Sequence, residues 1–379
     1  MKYIGFFSPD NSKNLNLICS PAGKTKMEYI AQVLTKITGK PEIISPSWTK
    51  NRGFHIYSAI RECTPNYNFL SFSTFSVPCH ALIPLQWLHS LGQLMAYLYL
   101  HIAKSECIIV YHSLYLMIPI LVLKKIKKFK LILEVEEIYQ DVIKLPRVVE
   151  WLERKIVQSA DAYILSTKKL AEYIPIEKAY VIVNGSYQLQ PRIKNRIHDG
   201  MIHCVYAGTL DPTKGGAAAA AAAAYLPKNY HVHILGFGTR EEEIEIANQI
   251  KRIQKIACCT ITFDGLKTGK QYIEFLQTCQ IGLCTQIPDA KYVETSFPSK
   301  ILVYLANGLR VLSVKIPAIE QSDVGDILYY YNKQNPQEIA RAIQEIDLSK
   351  PNAGRERIEG LDKKFASDFS SMLSHITPY

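Results

Sequence analysis

The chain has 379 residues, of which 48% are apolar and 21% charged, with a formal net charge of +10. That length favours two domains over one, and the composition is that of a globular protein with large cores, excluding a disordered chain. The positive balance points to an anionic partner: a nucleotide, a phospholipid surface or a nucleic acid. The nine cysteines are scattered, with no Cys-x-x-Cys and no Cys/His metal spacing. Cys258 and Cys259 are adjacent and cannot easily bridge each other. Reduced thiols in a cytosol are expected, and no metal. Met1 leads directly into a strand candidate, so no signal peptide is expected.

Strand and helix candidates alternate along the chain. Apolar strands are predicted at 3–7, 42–44, 69–75, 107–111, 131–135, 162–165 and 180–183. Amphipathic helices are predicted between them, at 26–38, 114–125 and 148–159. This pattern is that of a parallel sheet with crossover helices. The stretch 81–103 is long and apolar, but Pro84, Gln86, His89, Gln93 and His101 recur through it. It reads as a buried or interface-lying helix rather than a membrane span. Asn184-Gly185-Ser186 is a turn signal, followed by a polar stretch to residue 200. The alternation then restarts, with strands predicted at 201–207, 231–235, 260–263, 281–284, 311–314 and 327–331. The expected architecture is α/β: two doubly wound, Rossmann-like domains facing across a cleft. The boundaries are residues 1–186, a linker at 187–200, a second domain at 201–355, and a C-terminal helix at 356–379 that returns to the first domain. Residues 217–224 are eight consecutive alanines, the one low-complexity run, and suit a helix.

Ligands in such folds sit beyond the carboxyl ends of the strands. Four segments of the second half end there. Tyr206-Ala207-Gly208-Thr209 runs through a turn to Lys214-Gly215-Gly216. Gly208 lets a ligand approach the backbone, and Lys214 suits a phosphate. Leu235-Gly236-Phe237-Gly238 is a strand entering a Gly-x-Gly turn, a weak signal alone. Asp264-Gly265-Leu266-Lys267 follows a third strand. The strongest segment runs from Thr295 to Gly308. Ser296 is predicted as the N-cap of a helix with Pro298 in its first turn, and Ser299 and Lys300 add a hydroxyl and a cation where a diphosphate would bind.

In the first half, Tyr111-His112-Ser113 ends a strong strand. His112 is a candidate general acid or base pointing into the cleft. Glu134, Glu136 and Glu137 follow the next strand, and carboxylates this close repel one another unless something uses them. One of them suits the base that deprotonates an acceptor hydroxyl. Gly23-Lys24-Thr25-Lys26 reads as a basic loop. Five lysines lie between 124 and 130 (Lys124, Lys125, Lys127, Lys128 and Lys130). Beside the apolar 81–103 segment they suit an anionic membrane surface. No aromatic-basic RNA motif or recognition-helix pattern is visible, so no nucleic-acid partner is expected.

Together these motifs resemble glycosyltransferases of the two-domain B fold, close to family 4. The likeness is specific in the second half, in Tyr206-Ala207-Gly208-Thr209, Lys214-Gly215-Gly216, Leu235-Gly236-Phe237-Gly238 and Phe297-Pro298-Ser299-Lys300-Ile301-Leu302. It is looser in the first half, where Val181-Ile182-Val183-Asn184-Gly185 matches. The resemblance implies that Gly208, Lys214, Ser299 and Lys300 contact a donor diphosphate. It places Gly236, Phe237, Gly238 and Leu266 near the nucleotide base, and Thr209, Ser296, Phe297 and Pro298 in the same pocket. It implies that His112 touches the donor sugar. The chain departs from the family where a Glu usually faces that sugar: the position is Thr295, with Glu294 one step earlier. The ribose Glu is replaced by Val303 and an Arg by Thr209, so the stereochemical outcome stays open. The catalytic candidates are His112, Glu136, Glu137 and Glu294.

The implied activity is transfer of a sugar from a nucleotide sugar to an oligosaccharide or lipid-linked acceptor in bacterial surface polysaccharide synthesis. No cofactor beyond the donor substrate is expected, and the expected place is the cytoplasm, peripheral on the inner face of the membrane. The alternatives are a non-catalytic, membrane-associated nucleotide-binding protein of the same fold and a nucleotide-sugar epimerase.

Overall fold

The computed structural model describes residues 1–9, 15–193, 199–288 and 296–376, with Val142 described by its backbone alone. The chain divides into two compact units, Met1–Ser186 with Lys364–Tyr379, and Tyr187–Lys363.

The first unit carries strands β1 (Lys2–Ile4), β2 (Glu42–Ser45), β3 (Ile56–Tyr57), β4 (Ile60–Cys63), β5 (Asn68–Ser71), β6 (Thr74–Phe75), β7 (Cys107–Tyr111), β8 (Lys130–Val135), β9 (Ala162–Leu165) and β10 (Ala179–Ile182). Eight of them form one sheet in the order β10-β9-β8-β7-β1-β2-β5-β4. Its pairs are parallel except β4 with β5. The single strand predicted over 69–75 is two. The chain leaves the main sheet after Ser71, and Thr74–Phe75 pairs instead with Ile56–Tyr57. Strand β4 at the sheet edge carries no apolar run (Ile-Arg-Glu-Cys) and has no sequence signal to match its pairing.

The unit's helices are α1 (Pro21–Ile37), α2 (Ile83–His101), α3 (Met117–Lys127), α4 (Tyr139–Val142) and α5 (Arg147–Ser159). Helix α1 starts earlier than predicted, because Ser20 caps it by accepting from the Gly23 N–H and Pro21 occupies its first turn. Gly23, Lys24, Thr25 and Lys26 are therefore helical, not a loop. Helices α2, α3 and α5 pack side by side on one sheet face, with Leu94, Leu98, Ile120, Leu123, Ile156 and Val157 buried beneath them. Helix α2 buries Gln86 and Ser90 with partners: Gln86 donates to the Phe75 carbonyl (2.6 Å) and Ser90 accepts from the Ser47 N–H (2.7 Å). Among the described residues no helix is long and apolar enough to cross a membrane.

The second unit carries β11 (Ile202–Thr209), β12 (Tyr230–Phe237), β13 (Thr260–Gly265), β14 (Ile281–Cys284), β15 (Arg310–Val314) and β16 (Tyr329–Tyr331), all parallel, in the order β13-β12-β11-β14-β15-β16. The order reverses between β11 and β14, which makes that point the crevice where ligands of such sheets bind. Its helices are α6 (Gly216–Ala222), α7 (Arg240–Ile253), α8 (Gly269–Thr278), α9 (Lys300–Ala306), α10 (Pro317–Glu320) and α11 (Pro336–Gln344). A final helix, α12 (Gly354–Ile376), begins in this unit and ends in the first, where Phe365 packs on Tyr29 of α1 (5.7 Å between centroids).

Candidate functional site

In the second unit the switch point is built from backbone first. Gly208 and Gly236 are register partners at the carboxyl ends of β11 and β12. A Cβ on Gly236 would stand 2.0 Å from the Gly208 carbonyl oxygen, so only glycine fits. Gly215 has φ +94° and lies against the Thr285 carbonyl that follows β14. Thr285 Oγ1 donates back to the Gly215 carbonyl (2.7 Å). These contacts fasten the loop from Thr209 to Gly216 across the switch point.

Helix α9 is held over this loop by one tyrosine. Tyr304 lies on Gly282 of β14, where a Cβ would collide with its ring, and its hydroxyl accepts from the Ala207 N–H (2.8 Å). Lys300 is one helical turn earlier on the same side. Its Nζ comes to 3.9 Å from the Tyr206 ring centroid and to 2.8 Å from where a Cβ on Gly208 would be. Tyr206 Oη is itself tied to the Thr209 carbonyl (2.7 Å). The Lys300 ammonium is buried and makes no hydrogen bond among the described residues. Burial pulls its pKa down to about 8; Cys284 opposes this and Lys214 adds to it. A buried ammonium with no hydrogen-bond partner among the described residues, facing a bare glycine backbone, would gain from an anion placed beside it.

The helix itself differs from expectation. Ser296 is not its N-cap: α9 begins at Lys300 with Ser299 at the cap, because the Ile301 N–H already bonds the Pro298 carbonyl (3.0 Å). At seven residues it contributes little dipole, and Lys300 carries the electrostatics. Phe297 is buried while Pro298 and Ser299 are partly open. Phe237 and Leu266 are exposed large apolar side chains at the carboxyl ends of β12 and β13. Glu242 lies against Gly238 and closes a capping box with Thr239 at the start of α7. Glu294 and Thr295 lie outside the described residues.

In the first unit the sheet order reverses between β1 and β7, and a polar cluster is buried there. Tyr3 Oη donates to the Glu134 carboxylate. Lys26 of α1 pairs with Glu136 and lies 3.9 Å from Glu134 Oε1. Burial pushes the Glu134 carboxyl up, Lys26 opposes it, and Glu136 adds to it. The close spacing of acids is thus relieved by Lys26, which sequence reasoning assigned to a basic loop. Glu134 did carry a signal, since it interrupts the apolar run of β8.

His112 is buried, with its ring 5.2 Å from that of Tyr139. Burial lowers its pKa to about 4 against the pull of the Glu137 backbone, so at neutral pH the imidazole is uncharged. Its Nε2 lies 3.6 Å from Glu153 Oε1. Glu153, which sequence reasoning missed, is buried in α5 and accepts from the backbone N–H groups of Tyr139 (2.7 Å) and Gln140 (3.2 Å), at the start of α4.

No family model matches the chain, and no curated protein matches it in sequence. Its fold is similar to that of OtsA, a trehalose-6-phosphate synthase, with a TM-score of 0.68 at 11% identity over 100% of this chain and 99% of that one. It is also similar to HepE from Anabaena in complex with UDP (TM-score 0.64, 11% identity, 99% of each chain). A UDP-forming trehalose-phosphate synthase from Burkholderia xenovorans, in complex with glucose-6-phosphate, gives a TM-score of 0.64 at 10% identity over 99% of each chain. The chain therefore has the two-domain B fold of glycosyltransferases.

Proposed function

We propose that this protein is a glycosyltransferase that moves a sugar from a nucleotide-sugar donor to a lipid-linked glycan acceptor in bacterial surface polysaccharide synthesis, working at the cytoplasmic face of the membrane. The observation that carries the donor half is the buried Lys300 ammonium, unpartnered among the described residues, at the switch point beside Gly208. A diphosphate seated there supplies the missing charge, with Lys214 reinforcing Lys300. In transfer, an acceptor hydroxyl oxygen bonds the anomeric carbon as the bond from that carbon to the diphosphate oxygen breaks. The nucleoside diphosphate leaves with the electron pair, and the two lysines offset its growing charge. Phe237 and Leu266 offer apolar area to the base. Glu136 and Glu137 are the candidates for taking the acceptor proton, with His112 beside them as a neutral imidazole. The proteins of like fold that bind UDP, or glucose-6-phosphate as a UDP-forming enzyme, support a uridine donor.

The membrane half rests on the outer face of α2, α3 and α5. On α3, Ile118, Val122 and Ile126 recur every fourth residue and are 55%, 40% and 57% exposed. Leu85, Leu88, Tyr99 and Leu100 of α2, and Val148 and Trp151 of α5, are exposed too. Lysines border this face: Lys127 sits over the Tyr99 ring and Lys155 over Trp151. Apolar side chains flanked by lysines fit an anionic bilayer surface.

Calorimetric titration with a panel of nucleoside diphosphates and nucleotide sugars tests the donor half. Binding of UDP or GDP, with release of the nucleoside diphosphate when a lipid-linked glycan is added, is the expected result. Nucleotide binding without any turnover across acceptors would favour a non-catalytic nucleotide-binding protein, and no nucleotide binding at all would remove the reading.

A further inference from the structure

At the opposite end of the second sheet lies a cluster that sugar transfer does not use. His203 is the second residue of β11, and His231 and His233 are the second and fourth of β12. They precede Gly208 and Gly236 by three to five residues, roughly 10–17 Å along the strands. Register brings them onto one face: His203 is the direct partner of His231, and alternation puts His233 on the same side. One imidazole nitrogen from each lies within 4.8 Å of the others.

Each ring has its other nitrogen engaged. His203 Nε2 lies 3.2 Å from both oxygens of Asp199. His233 Nδ1 lies 3.0 Å from Asp264 Oδ2, and His231 Nε2 lies 3.1 Å from Thr262 Oγ1. The inner nitrogens, His203 Nδ1 and His233 Nε2, face each other at 2.9 Å.

The protons across this chain do not balance for neutral rings. With both carboxylates ionised, each faces a histidine nitrogen that donates to it, and the Thr262 hydroxyl, 3.2 Å from His233 Nδ1, donates to Asp264 (2.7 Å). Two neutral rings that donate outward then turn two lone pairs toward each other. A positive charge between them, a metal ion or a shared proton, relieves that repulsion. A carboxylate that orients a histidine whose other nitrogen is a bare donor is the common outer arrangement of a metal-bound imidazole. We propose that His203 Nδ1, His233 Nε2 and His231 bind a divalent transition-metal ion of the zinc class, with Asp199 and Asp264 orienting two of the ligands and a fourth position open to water.

Zinc–nitrogen bonds of about 2.0–2.1 Å in a tetrahedron place ligands about 3.3 Å apart, close to the 2.9 Å between His203 Nδ1 and His233 Nε2 and the 4.8 Å limit for the three rings. Phe275 of α8 packs edge-on against His233 (5.1 Å) and dries one side. Asp199 and part of His231 remain open to solvent as an entry.

The test is titration of the chelator-treated full-length chain, its accessible cysteines alkylated, with zinc by calorimetry and with cobalt by absorption. One equivalent is expected, with a raised melting temperature and a cobalt spectrum lacking thiolate charge-transfer bands. Asp264→Asn should weaken zinc by about 10–100-fold through the ligand it orients, and His231→Gln should weaken it further. Should His233→Asn fail to fold, these two milder variants decide. Zinc binding unchanged in folded variants, thiolate bands with cobalt, or no metal uptake at micromolar zinc with an imidazolium shared between His203 and His233 would each overturn the proposal. Nucleotide affinity is not a readout here, so failure of this site leaves the donor-site reading standing.

Discussion

Lys300 is a buried cation that costs the apo fold and that, in the proposed donor site, would meet the diphosphate. Its pKa near 8 lies below that of an unfolded lysine, so between these values the unfolded chain binds more protons. Stability therefore rises with pH across that window, and below it the charged group costs the apo fold. Lys300→Met should then stabilise the apo protein by roughly 1–3 kcal/mol while weakening UDP or GDP by about 10–100-fold, since a hydrogen bond to a charged group contributes about that much. Thermal unfolding and calorimetry of the same variant check both signs; unchanged nucleotide affinity in a folded variant would remove Lys300 from the site. Gly236→Ala probes the other wall. Its Cβ would meet backbone, the Gly208 carbonyl, rather than a side chain able to move. The expected cost is about 3 kcal/mol or more, above the range of ordinary overpacking, measurable by urea unfolding. Gly265→Ala has nothing near its Cβ and only a positive φ, and should cost about 1 kcal/mol.

Among the elements, α3 and its lysines divide into two groups that sequence alone treats as one. Lys124 pairs with Asp161 and donates to the Phe129 carbonyl (3.2 Å), and Lys130 lies 3.9 Å from Asp161. Asp161 in turn accepts from the Leu131 N–H (2.8 Å), tying the end of α3 to β8 and β9. Burial raises the Asp161 pKa, but these partners pull it below the usual range. Its contribution is present above the unfolded carboxylate pKa and lost as pH falls through the folded value. In the proposed membrane attachment, Lys125, Lys127 and Lys128 would be the ones to meet a bilayer, at about 1 kcal/mol each. Replacing these three by Gln should lower binding to anionic vesicles and its salt sensitivity. Replacing Lys124 should instead lower stability with little change in vesicle binding. Co-sedimentation at two salt concentrations separates the groups, since the Debye length falls from about 10 Å at 0.1 M to about 3 Å at 1 M. Replacing Ile118, Val122 and Ile126 by Ser should weaken binding even at high salt.

For the whole molecule, two histidines shape the response to acid, the buried His112 in the first unit and the partly open His231 in the second. His112 and His231 both have pKa values near 4. Between that value and the unfolded one, about 6.5, the unfolded chain holds the extra protons. Stability therefore rises with pH through this window and is lost as pH falls, at up to about 1.4 kcal/mol per pH unit for the buried His112 and less for His231, which solvent screens. Glu134 acts the other way. Its raised pKa makes the folded first unit hold a proton that the unfolded chain releases, which lowers stability as pH rises above the ordinary carboxylate range. Urea unfolding from pH 4 to 7 should show a steeper rise in the second unit than in the first. His231→Gln should flatten the second, and Glu134→Gln should steepen the first. Equal slopes in parent and variants would mean these groups do not titrate as their burial implies.

The alternation of apolar runs and amphipathic stretches was enough to reveal an α/β chain with two parallel sheets, because burying one face imposes a period that is local and legible. The ends of β11, β12 and β13 were legible for the same reason: a glycine at or beside the end of each strand exposes backbone. Everything that depended on partners was not. That Lys300 has no hydrogen-bond partner among the described residues while Lys124 is tied to Asp161, and that Lys26 lies between Glu134 and Glu136, follows from contacts across tens to over a hundred residues of sequence. His203 and His231 are strangers in sequence and direct partners in the sheet. Strand register and strand order make such contacts, and these are set by the packing of the whole sheet rather than by any window of residues.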